Sequence, residues 1–217
     1  TMFNKIVNAY RSISFCFRFL PWKQAVHVPV HVLSAIDCDI RGKIVIDFDY
    51  KTKKIYINGS GSPAVQHFPK GHLKIASGGK LVFKGSAVIG DGMAIRIDEN
   101  GTIVLGNDLF INSNCLLRSE RTIEIGDHCV MGWNVTINTT DGHQLYINEQ
   151  GKPSAGDIHI GHHVWIGQGV TIGKNCSVAD ETVIAQCSLV SKSLPKERCL
   201  YGGVPARLIK ENVSWKK

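Results

Sequence analysis

From Ile160 onward an aliphatic residue recurs every six positions: Ile160, Ile166, Ile172, Val178, Ile184 and Val190. A small residue follows in five of these six cases, as Gly161, Gly167, Gly173, Ala179 and Ala185. Four residues after an aliphatic comes a smaller candidate for the interior: Val164, Val170, Cys176, Thr182 or Ser188. The two positions before it are turn-prone, as in Lys174-Asn175 and Asp180-Glu181. A period of six suits neither an amphipathic helix nor a simple alternating strand. It suits a short strand plus a turn, three of which close one coil of a triangular prism. The expected fold is therefore all-β, a stack of parallel coils.

The same phase continues upstream with interruptions. Coils start at Phe83 (then Ile89, Ile95), Leu105 (Ile111, Leu117) and Ile125 (Met131, Ile137). Coil starts lie 22, 20 and 35 residues apart, and subtracting 18 leaves insertions of 4, 2 and 17 residues. Each insertion follows the third aliphatic of its coil, so all three loops leave one corner of the prism. The longest occupies residues 138–157 and is polar and turn-rich. A long loop on a rigid scaffold is a favoured place for function.

Before Phe83 the pattern degrades. Residues 3–26 read as helical, and Ile44, Ile46, Phe48 and Tyr50 alternate as a strand ahead of Ile55-Tyr56-Ile57. The expected organisation is a helix with irregular capping coils or a hairpin over residues 1–72, a coil core over 73–200 and a tail over 201–217. Pro195 breaks the last coil, and a short helix is expected at Ala206–Trp215. Terminal caps are required because a bare coil edge would expose unpaired backbone groups. Thr1 ahead of Met2 reads as a cloning remnant.

The formal net charge of +7 favours an anionic partner. Seven cysteines with no CxxC pair read as reduced thiols rather than a disulfide framework. Three of them, Cys115, Cys129 and Cys176, fall on the inward small-residue position, where a cysteine packs as a small hydrophobe. No apolar run reaches the roughly 18 residues that span a bilayer, and no cleavable signal is evident. A cytoplasmic location is expected.

Several motifs accompany the repeat in order: Asn134-Val135-Thr136-Ile137, then Thr140-Asp141-Gly142-His143, then Ile160-Gly161-His162-His163-Val164-Trp165-Ile166-Gly167, then Gly203-Val204-Pro205-Ala206-Arg207. Over roughly residues 83–210 this array resembles the left-handed β-helix, hexapeptide-repeat acyltransferases. The similarity is greatest to the branch of galactoside, maltose and surface-polysaccharide O-acetyltransferases. It implies a left-handed parallel β-helix, a homotrimer with sites between subunits, and acetyl-CoA as co-substrate without a metal. It further implies transfer of an acetyl group to a sugar hydroxyl, with no nucleic acid as partner. The first 80 residues lack the helical signature of the maltose-type enzymes, which favours an acceptor in a bacterial surface polysaccharide or its lipid-linked precursor. The alternatives are an N-acetyltransferase of an amino sugar and a non-catalytic or metal-binding β-helix.

The resemblance assigns residues. His143 matches the family's catalytic histidine; a neutral imidazole can take the proton of a sugar hydroxyl as it attacks a thioester. Asn112 and Glu120 match acceptor contacts. Trp165 is expected to point outward, near both acceptor and thioester. Gly167, Ala185 and Gln186 would let the pantetheine chain lie along a coil edge, and Lys192 and Arg207 are cations that could meet the phosphates. His128, His162 and His163 occupy turn positions and read as polar turns.

The first 36 residues contain Lys5, Arg11, Arg18 and Lys23 and no acidic residue, with many aromatic and aliphatic side chains between. Two readings follow. The segment caps the first coil, or it lies in a membrane interface, giving peripheral contact with the inner membrane face.

Overall fold

Each coil contributes one strand to each of three parallel sheets, so the sheets form the three faces of a prism. The computed structural model describes residues 2–59 and 70–217. Thr1 and the stretch 60–69 of the expected capping region lie outside them. Face A carries strands Val30–Val32, Ile55–Ile57, Ala87–Ile89, Leu109–Ile111, Val130–Met131, Trp165–Ile166, Val183–Ile184 and Cys199–Gly202. Face B carries Ile36–Ile40, Gly71–Ile75, Ala94–Ile97, Leu116–Ser119, Thr136–Asn138, Thr171–Ile172 and Leu189–Val190. Face C carries Lys43–Ile46, Lys80–Phe83, Thr102–Leu105, Thr122–Ile125, Ile158–Ile160 and Cys176–Val178. The fold is a left-handed β-helix.

Register explains the hexapeptide. On face A, Ile57, Ile89, Ile111, Met131, Ile166 and Ile184 pair in one vertical column. All are buried, as are the smaller inward residues Val164, Val170, Cys176, Thr182 and Ser188. The aliphatics therefore stack on their counterparts one coil away. Each such side chain taken from water contributes about 1.5–3 kcal/mol. The turn residues Asn114, His128, Asn134, His163 and Asn175 all have positive φ, which asparagine tolerates better than most residues.

The coils start earlier than the sequence pattern indicates. Val30–Val32 pairs in parallel with Ile55–Ile57, and Lys43–Ile46 with Lys80–Phe83. Ile46 and Ile55 thus belong to consecutive coils on different faces, not to a hairpin. The helical segment divides into α1 (Met2–Phe19) and α2 (Trp22–Ala25). Phe15, Cys16 and Leu20 are buried, with Phe15 set against Val30, Ile44 and Ile57 at the open end of the prism. The edge strand is satisfied locally: the Val32 N–H donates to Ser12 Oγ at 2.9 Å and the Cys16 thiol to the Val30 carbonyl at 3.3 Å.

The other end corrects the sequence reading. Residues expected as a helix at Ala206–Trp215 instead form strand Arg207–Glu211, antiparallel to Cys199–Gly202. The turn after Gly202 folds the chain straight back, where the last coil offers an unpaired edge; pairing that edge outweighs local helical preference. The 138–157 loop carries its own hairpin, Leu145–Ile147 with Gln150–Lys152, turned by Asn148 and Glu149, both at positive φ.

Two outcomes test this packing. Ile123, fully buried on face C between Ile103 and Ile158, should lose about 2–5 kcal/mol of urea-measured stability as Ile123→Ala. A loss below about 1 kcal/mol would contradict a close-packed interior. Thiols should also divide. Cys187 is exposed, whereas burial pushes Cys115 up to about 11 and Cys129 up to about 12. In the native protein at mildly alkaline pH, alkylation followed by peptide mapping should find Cys187 modified first. Equal rates at Cys129 and Cys187 would refute the assignment.

Candidate active site

The loop leaves the corner between faces B and C, and its base is tightly held. Thr139 and Thr140 are buried. Thr139 Oγ1 accepts from the Glu120 N–H at 2.8 Å, and its carbonyl accepts from the Gly156 N–H at 2.9 Å. The Asp141 N–H donates to the Ser154 carbonyl at 2.8 Å, and the Asp141 carboxylate pairs with Lys174 at 2.5 Å. Thr140 Oγ1 then accepts from the Gly142 N–H at 3.0 Å. Gly142 adopts φ +78°, a conformation L side chains rarely enter, and so turns the chain at His143. His143 is exposed, and among the described residues no hydrogen bond holds its ring. Asp141, its sequence neighbour, is engaged with Lys174 instead.

Glu120 lies at the same corner. Its carboxylate accepts from Arg118 at 2.9 Å; Arg118 also bonds Asp98 at 3.2 Å, and Asp98 pairs with Arg96 at 2.8 Å. A Cβ placed on Gly142 would stand 4.0 Å from the Arg118 guanidinium. An ion network of Arg96, Asp98, Arg118 and Glu120 thus lies beside the Gly142 turn.

The corner between faces A and B carries most of the other expected residues. Gly90, Asn112, Gly132, Gly167 and Ala185 each follow a residue of the inward face A column, so they stack in a second column. Their N–H groups donate to carbonyls of the next coil at 2.8 to 3.0 Å. Asn112 is buried, and its Oδ1 accepts from the Ser113 N–H. At Gly167 a Cβ would meet the Gln186 nitrogen at 2.6 Å, so only glycine fits. Beside the upper part of this column runs a groove of about 470 Å³ whose walls include Trp133, Trp165, Gly167, Ala185, Gln186 and Trp215. Trp165 points outward and is 44% exposed even with Trp215 beside it, ring centroids 6.0 Å apart.

The tail builds the roof of that groove. Trp215 stacks on His163 at 4.2 Å, nearly parallel, and its indole N–H donates to the His163 carbonyl at 3.0 Å. His163 is held by Glu181 at 2.7 Å. Lys217 pairs with Asp108 at 2.7 Å, and Lys217 with His128 holds that carboxyl below its usual range. The indole N–H of Trp133 has no partner among the described residues. Trp133 and Trp215 are additions to the expected site. Trp133 stands two residues after the inward Met131 and was findable from the repeat; nothing periodic marks Trp215.

The expected residues therefore fall into two groups. Trp165, Gly167, Ala185 and Gln186 share the groove, and Asn112 lies lower on the same corner. Arg207 is opposite Gly202, which stacks above Ala185. His143 and Glu120 occupy the other corner. Lys192 lies there too, one coil above Lys174, and not at the groove. A cleft of about 720 Å³ runs along face C and the corner between C and A. Its side chains build a structural ladder: the backbone N–H groups of Asn107, Asp127 and His162 donate in turn to Asp127, His162 Nδ1 and Asp180. His162 is thereby a turn residue. Among the described residues no cluster of histidine, cysteine or carboxylate could hold a metal ion.

No family model matches the chain. It is 33% identical over 119 residues to the galactoside O-acetyltransferase of Escherichia coli K12, covering 54% of this chain and 58% of that protein. It is 28% identical over 146 residues to a polysialic acid O-acetyltransferase of Escherichia coli O1:K1, covering 66% of this chain and 44% of that one. The chain thus spans roughly half of the length of these curated relatives. The crystal structure of the polySia-specific acetyltransferase NeuO superposes with a TM-score of 0.56 at 22% identity, covering 87% of this chain and 89% of that chain, and shares the fold. With the hexapeptide repeat and the motifs at Thr140–His143 and Ile160–Gly167, these matches make the chain similar to sugar O-acetyltransferases over roughly half of its length, on a shared left-handed β-helix fold.

Proposed function

We propose that this protein is an acetyl-CoA-dependent O-acetyltransferase that acts on a sugar hydroxyl, with His143 as general base. The observation that carries the reading is the presentation of His143: an unengaged imidazole on a loop whose base is fixed by two buried threonines. The imidazole takes the hydroxyl proton as the oxygen attacks the thioester carbonyl; the C–S bond breaks, and the proton passes to the departing thiolate. Acetyl-CoA supplies the activated acyl group, so no protein nucleophile is needed. Glu120 and Asn112 are proposed to bind the acceptor. Trp165, Gly167, Ala185 and Gln186 would hold the pantetheine arm, with Trp215 closing over it and Arg207 near the phosphates. Lys192, on the loop corner, would need a neighbouring subunit's cofactor to take part. The likeness to a polysialic acid O-acetyltransferase supports a polymeric glycan as acceptor and hence polysaccharide modification.

The split between corners supports a homotrimer. From Gly132 to Asn138 the chain crosses face B, about 20 Å at strand rise. A base must come within about 3 Å of the proton it takes. No residue lining the groove comes from the loop. A loop from one copy reaching a groove on the next would complete the site. The exposed Leu145, Tyr146 and Ile147 of the loop hairpin would gain cover in the same step.

His143→Ala should lower kcat by about 10²–10⁴ while leaving the Kd for acetyl-CoA unchanged, measured by thiol release and by calorimetry. Retention of more than about a tenth of turnover would end the assignment. Base-labile product acetylation distinguishes an ester from the amide of an N-acetyltransferase.

Trp215→Ala should raise KM for acetyl-CoA roughly two- to tenfold, the worth of one aromatic contact. Co-expressing His143→Ala with Trp165→Asp chains should restore activity that neither has alone, because mixed assemblies contain some intact sites. Mixed trimers without activity would place both halves of the site in one chain.

A further inference from the structure

The amino-terminal helix has two used faces in its chemistry but only one in its packing. Ser12, Phe15 and Cys16 turn inward and close the prism. Almost opposite, Phe3, Ile6, Tyr10, Ile13 and Phe17 follow each other at alternating spacings of three and four, which aligns them on one stripe. They are 72%, 60%, 73%, 46% and 55% exposed, and no described residue covers them. Trp22 and Val26, beyond the bend at Pro21, extend the exposed apolar surface. Contiguous exposure on this scale marks an interaction surface.

The charge around the stripe selects the partner. Arg11 and Arg18, seven residues apart, flank one side; Lys5 flanks the other, and Lys23 follows in α2. No acidic residue occurs before Asp37. Arg11 and Arg18 also rim a groove of about 330 Å³ beside α1, with Tyr10 and Phe19 in its wall. A second copy would oppose these cations with identical ones. An acidic protein surface would satisfy the cations but not five adjacent apolar side chains. A bilayer surface satisfies both, burying aromatic and aliphatic groups at the acyl boundary while cations meet headgroup phosphates. No helix among the described residues is long and apolar enough to cross a membrane, so the contact is a surface one.

We propose that the outer face of α1 docks this protein on an anionic lipid surface. Because the inner face of the same helix closes the prism, docking stands the coils end-on to the bilayer. This holds whether or not the acetyl-transfer reading does.

The test is sedimentation of the full chain with vesicles at low ionic strength. Vesicles of equal parts phosphatidylglycerol and phosphatidylcholine should bind it; phosphatidylcholine alone should not. Arg11→Glu with Arg18→Glu should weaken partitioning at least roughly 25-fold, taking about fivefold per cation. Ile6→Ser with Ile13→Ser should abolish binding while thermal unfolding stays native, since both side chains are exposed. If that pair unfolds, Tyr10→Ser alone carries the test. Failure of the intact protein to bind anionic vesicles, or undiminished binding by the stripe variants, overturns the proposal. So does self-association that the stripe variants abolish in the absence of vesicle binding, which would assign the face to a second copy.

Discussion

The backbone ladder between coils governs this structure. In a parallel β-helix the N–H and carbonyl groups of each strand point along the prism axis, so each coil is satisfied only by the coils above and below. Inward aliphatics must then stack in register, because a slip of one residue would turn a strand's apolar side chains outward. The ladder also has two ends, and each must be closed. At one end the Ser12 hydroxyl and the Phe15 and Leu20 side chains do this; at the other, the antiparallel strand Arg207–Glu211 does.

The same rule explains what the sequence revealed. Between Ile160 and Val190 no coil carries an insertion, and the period of six stands clear. Upstream, insertions shift the phase without changing the coil, so the pairs Val30–Val32 with Ile55–Ile57 look unrelated along the chain. The terminal strand was illegible for another reason: its pairing answers an edge created by the whole stack, not a local preference. The bond from Trp215 to His163 spans 52 residues and follows no repeat. By contrast, the placement of Lys192 away from Gly167 was implicit in the phase, since one follows a face B aliphatic and the other a face A aliphatic.

The candidate site uses each kind of element for what it does well. The corner column supplies glycine and alanine, whose lack of bulk leaves a smooth wall held rigid by the coil ladder. The tail supplies an aromatic roof held by a stacking contact, a hydrogen bond and an exposed ion pair, and it can be displaced more easily than any coil. The loop supplies the imidazole, with its base anchored to the coil and its tip free of one.

The corner column also acts as a ruler. Successive coils are about 4.8 Å apart, and Asn112 and Ala185 stand three coils from one another on the same corner. Their separation is therefore an integer number of coils, about 14 Å. Duplicating or deleting one complete eighteen-residue coil would move the groove relative to Asn112 by one increment and leave every type of contact intact. Distances in such a fold change in steps, and a lineage could fit longer or shorter substrates by counting coils rather than by reshaping a pocket.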